Sequence, residues 1–225
     1  MPDSRDVMLQ RIRAAIVAGD PSGATHPGVR ATEDEARAEF AAIPRAYIRK
    51  GKLDLEARLS LFAERLNDYD AIASSASADS LPQTIATILE RNSQKNVVAA
   101  DDLPDGILPD GIKFLAEREA PLRDLDTCDG IITTCTVAIA ATGTIVLCHG
   151  PGEGARKLTL IPDRHLCIVR ADQVVETVPE AFDRLAPHSS DPITFISGPS
   201  ATADIEMTRI RGVHGPRFLD VLLVR

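Results

Sequence analysis

From about residue 69 onward, short apolar runs alternate with stretches of helical periodicity, and this constrains the fold more than any other feature of the chain. Strands are expected at 69–73, 96–100, 113–116, 129–134, 137–141, 144–148, 158–161, 165–170, 193–197 and 218–224. Helices are expected at 81–91, 178–185 and 202–209. A chain that keeps switching between the two periods buries both faces of a sheet under helices. The expected class is therefore α/β, with a mostly parallel sheet flanked by helices. Two of the runs, 137–141 and 144–148, flank Thr142-Gly143, which suggests a tight turn or bulge between neighbouring strands.

The first third reads differently. Met8, Ile12, Ala15 and Ile16 fall on one helical stripe that Gly19 and Pro21 terminate. Residues 20–31 are rich in Pro, Gly and small polar side chains and read as a linker. A second helix starts near Thr32, where Glu35 completes a capping-box pattern, and Pro44 breaks it. Leu55, Leu59, Phe62 and Leu66 mark a further amphipathic helix over 54–67. The expected organisation is a helical N-terminal extension over 1–67 and an α/β domain over 68–225.

Charge and cysteine spacing remove several function classes. Lys and Arg number 25 against 33 Asp and Glu, a net charge of −8. That balance disfavours nucleic acid, which needs a basic face, and anionic membrane surfaces. No apolar run reaches the roughly 18 residues of a membrane span. Residues 1–20 lack a signal-peptide core, so a cytoplasmic location is expected. Cys128, Cys135, Cys148 and Cys167 form no C-x-x-C pair. No metal or cluster site is expected in this chain, and three of the four cysteines sit in apolar runs, as reduced buried thiols do.

Four segments are candidates for chemistry. Thr142-Gly143-Thr144 offers two hydroxyls and a flexible backbone for a carboxylate or phosphate, or is simply a hydroxyl-stabilised turn. The glycine-rich stretch 149–155 leads into Arg156-Lys157; it reads either as a loop that closes over an anion or as a solvent-exposed hairpin loop. It matches no nucleotide-binding fingerprint. Gly198-Pro199-Ser200 follows a strand, and Thr202 opens the expected helix. Its free N–H groups attract anions, or Ser200 or Thr202 merely caps it. Asp204 and Glu206 in the first turns are candidate acid–base groups. Gly212-Val213-His214-Gly215-Pro216 places a titratable ring on a loop, as a proton carrier or as a structural hydrogen-bonder.

Four ordered stretches carry a resemblance: Val137-Ala-Ile-Ala-Ala-Thr-Gly-Thr-Ile-Val-Leu147, Leu158-Thr-Leu-Ile-Pro-Asp-Arg-His-Leu-Cys-Ile-Val169, Ile196-Ser-Gly-Pro-Ser-Ala-Thr-Ala-Asp-Ile-Glu206 and Gly212-Val-His-Gly-Pro216. Over about residues 129–225 the chain resembles the lactate utilization protein C family, the LUD-domain proteins. The resemblance implies a NagB/RpiA/CoA-transferase-like fold. It also implies a role in oxidising L-lactate to pyruvate beside partner subunits that carry iron–sulfur clusters, with no cofactor in this chain. By motif match it points to Thr142, Gly143, Thr144, Gly198, Pro199, Ser200, Thr202, Asp204, Glu206, His214 and Gly215 as site candidates. One departure is plain: the family pattern A-E-T-G-[TS] carries Glu where this chain has Ala141.

Three functions remain open on the sequence. The chain is an accessory subunit of a lactate-oxidising iron–sulfur complex, an independent enzyme acting on a small phosphorylated or CoA-linked acid, or a carboxylate-binding regulatory module that docks through its N-terminal helices.

Overall fold

The computed structural model describes residues 4–18, 33–44, 46–202, 210–211 and 215–225. The chain divides into two compact units, Met1–Tyr47 and Ile48–Arg225. The first contains helices α1 (Ser4–Ala18) and α2 (Glu33–Ala42), and the expected linker at 20–31 lies outside the described residues. Met8, Leu9 and Ile12 of α1 and Phe40 of α2 are exposed.

The second unit opens with α3 (Leu55–Asp68). Asp54 caps it, its Oδ1 accepting from the Ala57 amide at 2.8 Å. The stripe read from the sequence buries Leu59, Phe62 and Leu66 but leaves Leu55 exposed. Because this stripe is part of the α/β core, the compact unit begins at Ile48, ahead of the 67/68 boundary that the change of pattern suggests. There follow β1 (Ile72–Ala76), α4 (Leu81–Arg91), β2 (Val97–Ala99), β3 (Phe114–Ala116), α5 (Leu122–Thr127), β4 (Gly130–Thr133), β5 (Val137–Ile139) and β6 (Thr144–Leu147). The chain continues with β7 (Arg164–Arg170), β8 (Val174–Val175), α6 (Val178–Leu185), β9 (Thr194–Ile196), β10 (Ala201–Thr202), β11 (Ile210–Arg211) and β12 (Phe218–Val224).

The main sheet has six strands in the order β1-β12-β7-β4-β2-β3, all parallel. The expected α/β class and mostly parallel sheet are therefore found. A second sheet, β8-β5-β6-β9, has four strands and mixed direction. The two sheets share a core: Cys167, Val169, Val221 and Leu223 of the first meet Ala138, Ile145 and Leu147 of the second, with the buried stripe of α3 alongside. The opposite face of the main sheet (Leu166, Ile168, Leu222) is covered by Leu81, Ile85, Ile88 and Leu89 of α4. The outer face of the second sheet packs on Ala181 and Leu185 of α6. Thr177 caps α6 through a reciprocal bond with Glu180. Each such large apolar side chain contributes roughly 1.5–3 kcal/mol when fully buried.

Three expected elements differ. The strand expected at 69–73 begins only at Ile72, because Tyr69 and Asp70 close the last turn of α3, their amides donating to the Leu66 and Asn67 carbonyls. The run 158–161 is not a strand: residues Arg156–Thr159 form a 3-10 turn, whose Leu158 drops into a cluster with Val98, Leu125 and Ile131. Thr202, expected to open a helix, lies instead in β10, which pairs antiparallel with β11; residues 203–209 lie outside the described residues.

On the α4 face, Asp220 of β12 is buried. It accepts from Arg91 Nη2 at 2.6 Å and Asn92 Nδ2 at 3.2 Å, with Arg164 Nη1 at 3.9 Å. Burial nevertheless pushes its carboxyl above the usual range, against the pull of Arg91 and Arg164.

Candidate functional site

A cleft of about 230 Å³ opens at the amino ends of β7 and β12, beside the segment that follows β9. His165 and Leu219 line it from the main sheet. Thr194 to Ala201 line it from β9, the turn after it and the start of β10. Arg156 and Thr159 line it from the 3-10 turn, and Gly215 and Pro216 from the approach to β12. The cleft therefore gathers Arg156, Gly198, Pro199, Ser200 and Gly215 from three of the four candidate segments. The Ser200 amide donates to the Pro216 carbonyl at 2.8 Å and ties two of those segments together. A larger cavity, about 310 Å³, lies between β2, β3 and α5, lined largely by Val97, Val98, Leu115, Thr127 and Cys128, and holds none of the candidates.

The electrostatics of the cleft differ from those of the whole chain. Among its described lining residues there is no Asp or Glu. Arg156 donates through Nη1 to Thr159 Oγ1, and no carboxylate pairs with it among the described residues. His165 is 1 % exposed, with Nε2 2.7 Å from Thr133 Oγ1 and no partner for Nδ1 among the described residues. A buried polar atom without a partner is unfavourable unless a ligand or water supplies one. A guanidinium without a carboxylate partner and an imidazole with an unpartnered nitrogen line the same cleft among the described residues, which suits a small anion that also carries a hydrogen-bonding group.

Behind His165 lies a polar cluster in the core. Thr133 Oγ1 donates to Cys167 Sγ at 3.8 Å, Cys167 Sγ lies 3.6 Å from the Thr134 carbonyl, and Cys135 Sγ lies 3.8 Å from Gln173 Oε1. Cys135 is held well above the ordinary thiol range by its hydrogen bond to Cys167 and by burial. Burial pushes Cys167 up as well, but the neighbouring Cys135, His165 and Thr133 side chains bring it down to about 6.

Thr142, Gly143 and Thr144 stand outside the cleft lining. Gly143 adopts a left-handed conformation (φ 60°) against the last turn of α3. Thr142 Oγ1 and Thr144 Oγ1 are 2.7 Å apart, and Thr144 Oγ1 is 2.8 Å from Ser197 Oγ. Ser197 does line the cleft, so this motif reaches it through a ladder of three hydroxyls. Ala141, where the family pattern has Glu, is exposed and does not line the cleft; its amide donates to the Glu176 carbonyl at 3.0 Å.

The glycine-rich stretch is anchored at its centre, while Gly150, Pro151 and Ala155 are exposed. Gly152, Glu153 and Gly154 are buried. The Gly152 amide donates to the Asp101 carbonyl, and its carbonyl accepts from the Thr134 amide, which seats it at the carboxyl ends of β2 and β4. Glu153 accepts from Thr136 Oγ1 and from the Cys148 amide, both at 2.6 Å. His149 bridges the Gly154 carbonyl and Thr194 Oγ1, each at 2.7 Å. Its centre plugs the carboxyl ends of β2 and β4.

Asp204, Glu206 and His214 lie outside the described residues, and for Thr202 only the backbone pairing with Ile210 is described. His165 and Thr133 were not among the sequence candidates. The available signal was a histidine inside an apolar strand pattern, where a buried polar group is more informative than any exposed one.

The LUD domain matches residues 59–224, from the first buried leucine of α3 to the end of β12. The chain belongs to the LUD-domain family. A lactate utilization protein C from Deinococcus radiodurans is 43 % identical over 170 residues, covering 74 % of this chain and 79 % of the relative. One from Oceanobacillus iheyensis is 24 % identical over 214 residues, covering 87 % and 91 %. The crystal structure of a DUF162 family protein from Deinococcus radiodurans superposes with a TM-score of 0.67 at 38 % identity, covering 77 % of this chain and all of that one. The LUD assignment bears out the resemblance read from the four motifs. Among the described residues, no helix of this LUD protein is long and apolar enough to cross a membrane.

Proposed function

We propose that this LUD protein serves lactate utilization as a subunit without a redox centre of its own, within an iron–sulfur complex that oxidises L-lactate to pyruvate. Relatives named lactate utilization protein C support the general role. The observation that carries the role of this chain is the cleft: Arg156 is unpaired with any carboxylate among the described residues, and the described lining contains no acid. Arg156 takes the carboxylate of a small acid, and the backbone around Gly198 and Ser200 shapes the wall beside it. Oxidising lactate to pyruvate releases two electrons and two protons; the electrons pass to clusters held by partner subunits. The cleft, at about 230 Å³, falls below the roughly 300–1,000 Å³ typical of drug-sized ligands and suits a three-carbon acid better than a coenzyme A thioester.

The test is an anaerobic assay of L-lactate oxidation by the iron–sulfur partners from the same source, with and without this chain. Activity that depends on the chain is expected. Full activity in its absence overturns the subunit reading and favours a carboxylate-binding regulatory module.

A further inference from the structure

The hydrogen bonds behind His165 determine what its free nitrogen can do. Thr133 has a single hydroxyl hydrogen, which Cys167 Sγ at 3.8 Å can accept. When it does, a Thr133 lone pair faces the ring at 2.7 Å, and the tautomer that fits carries the imidazole hydrogen on Nε2, which donates. The arrangement holds for either form of the sulfur, since thiol and thiolate both accept from Thr133. In the neutral ring Nδ1 is then a bare acceptor. It belongs to a side chain that is 1 % exposed, lines the cleft and finds no partner among the described residues. A ligand that satisfies it must bring a hydrogen-bond donor.

Resting on the reading of the cleft as a carboxylate site, we infer that it selects small 2-hydroxy carboxylates over their deoxy and 2-oxo counterparts, because His165 Nδ1 accepts a hydrogen bond from the 2-hydroxyl while Arg156 holds the carboxylate. A deoxy acid leaves the buried nitrogen unpaired. A 2-oxo acid is worse, since it sets an oxygen lone pair against a nitrogen lone pair. A site built to hydrogen-bond a hydroxyl rejects analogues lacking it through the polar group left unpaired. Thr133 is a positioning residue, acting through the tautomer it imposes on the ring.

The experiment is calorimetric titration of the full chain with L-lactate, propanoate and pyruvate. L-Lactate should bind about tenfold more tightly than propanoate, the worth of one such hydrogen bond, and pyruvate should bind more weakly still. His165→Leu should bring L-lactate down to the propanoate affinity and leave propanoate itself unchanged. Thr133→Val keeps the imidazole but releases its tautomer. It should narrow the lactate-to-propanoate ratio without weakening propanoate, a pattern that general loosening of the fold would not produce. If His165→Leu fails to fold by circular dichroism, Thr133→Val decides. Equal affinity of the unaltered chain for L-lactate and propanoate overturns the role of His165 while leaving the carboxylate site standing. Failure of all three acids to bind removes the carboxylate site itself, and this inference with it.

Discussion

The two ends of the parallel sheet have been put to opposite uses. In open α/β sheets ligands usually sit beyond the carboxyl ends of the strands. Here the carboxyl ends of β2 and β4 are closed by Gly152–Gly154, anchored through Glu153 and His149. The amino ends of β7 and β12 carry the cleft, with a lone guanidinium and a buried imidazole nitrogen that lacks a partner among the described residues. One end has its polar groups satisfied internally and the other keeps some in reserve. Glycine content alone does not distinguish a lid from a plug. The hydrogen bonds of the neighbouring acids and histidines do.

Removing the plug's anchor should have the largest effect. Glu153→Ala leaves the Cys148 amide and the Thr136 hydroxyl without an acceptor, and should cost about 2–4 kcal/mol in urea unfolding. The ratio of lactate to propanoate affinity should stay unchanged if the two ends are independent; a ratio that collapses would show that they are not. Arg156→Gln should do the reverse. It should weaken L-lactate binding about 10–100-fold, as loss of a charge-assisted bond does, and shift stability by less than about 0.5 kcal/mol.

Asp220 tests the amino end on its other face. Arg91→Ala should cost about 1–2 kcal/mol, discounted because Arg91 is half exposed. The sign with pH follows from the raised carboxyl of Asp220. The folded chain holds that proton more tightly than the unfolded chain, so the contribution is fullest below the ordinary value of 3.8 and is lost as pH rises through the folded one. Arg91→Ala raises the folded value further. Its deficit should therefore grow between pH 3 and pH 7, and a deficit that shrank over that range would contradict the assignment. The smallest effect should come from Thr177→Ala, remote from both ends. It should lower stability by about 1 kcal/mol through loss of the α6 cap, leaving ligand affinities unaltered.

Much of the fold was legible because its longest elements follow one period each. Helices 81–91 and 178–185 and the strand 218–224 have the limits read from periodicity. The departure at 158–161 is physical: Leu158 is buried by a single turn entering a cluster, and an apolar run of four residues does not separate that from a strand. The division of strands between two sheets was not legible, since both sheets draw on equally apolar runs. For the cleft, the motif segments were found, but the decisive histidine was not. Its importance rests on Thr133, 32 residues earlier in the chain, and on which of two ring nitrogens that contact leaves open.

Gly143 and Gly198, from separate motifs, both rest on the end of α3. A Cβ at Gly143 would stand 2.8 Å from the Arg65 carbonyl carbon, and one at Gly198 would stand 2.8 Å from the Tyr69 carbonyl oxygen; both glycines have positive φ. What they touch includes main chain, which every amino acid shares. A larger residue at either position therefore has no second-site suppressor among substitutions in α3, because trimming a side chain there cannot move a carbonyl. In a genetic screen for revertants of Gly198→Val, recovery should come from restoring glycine at 198 and not from changes along the helix it leans on.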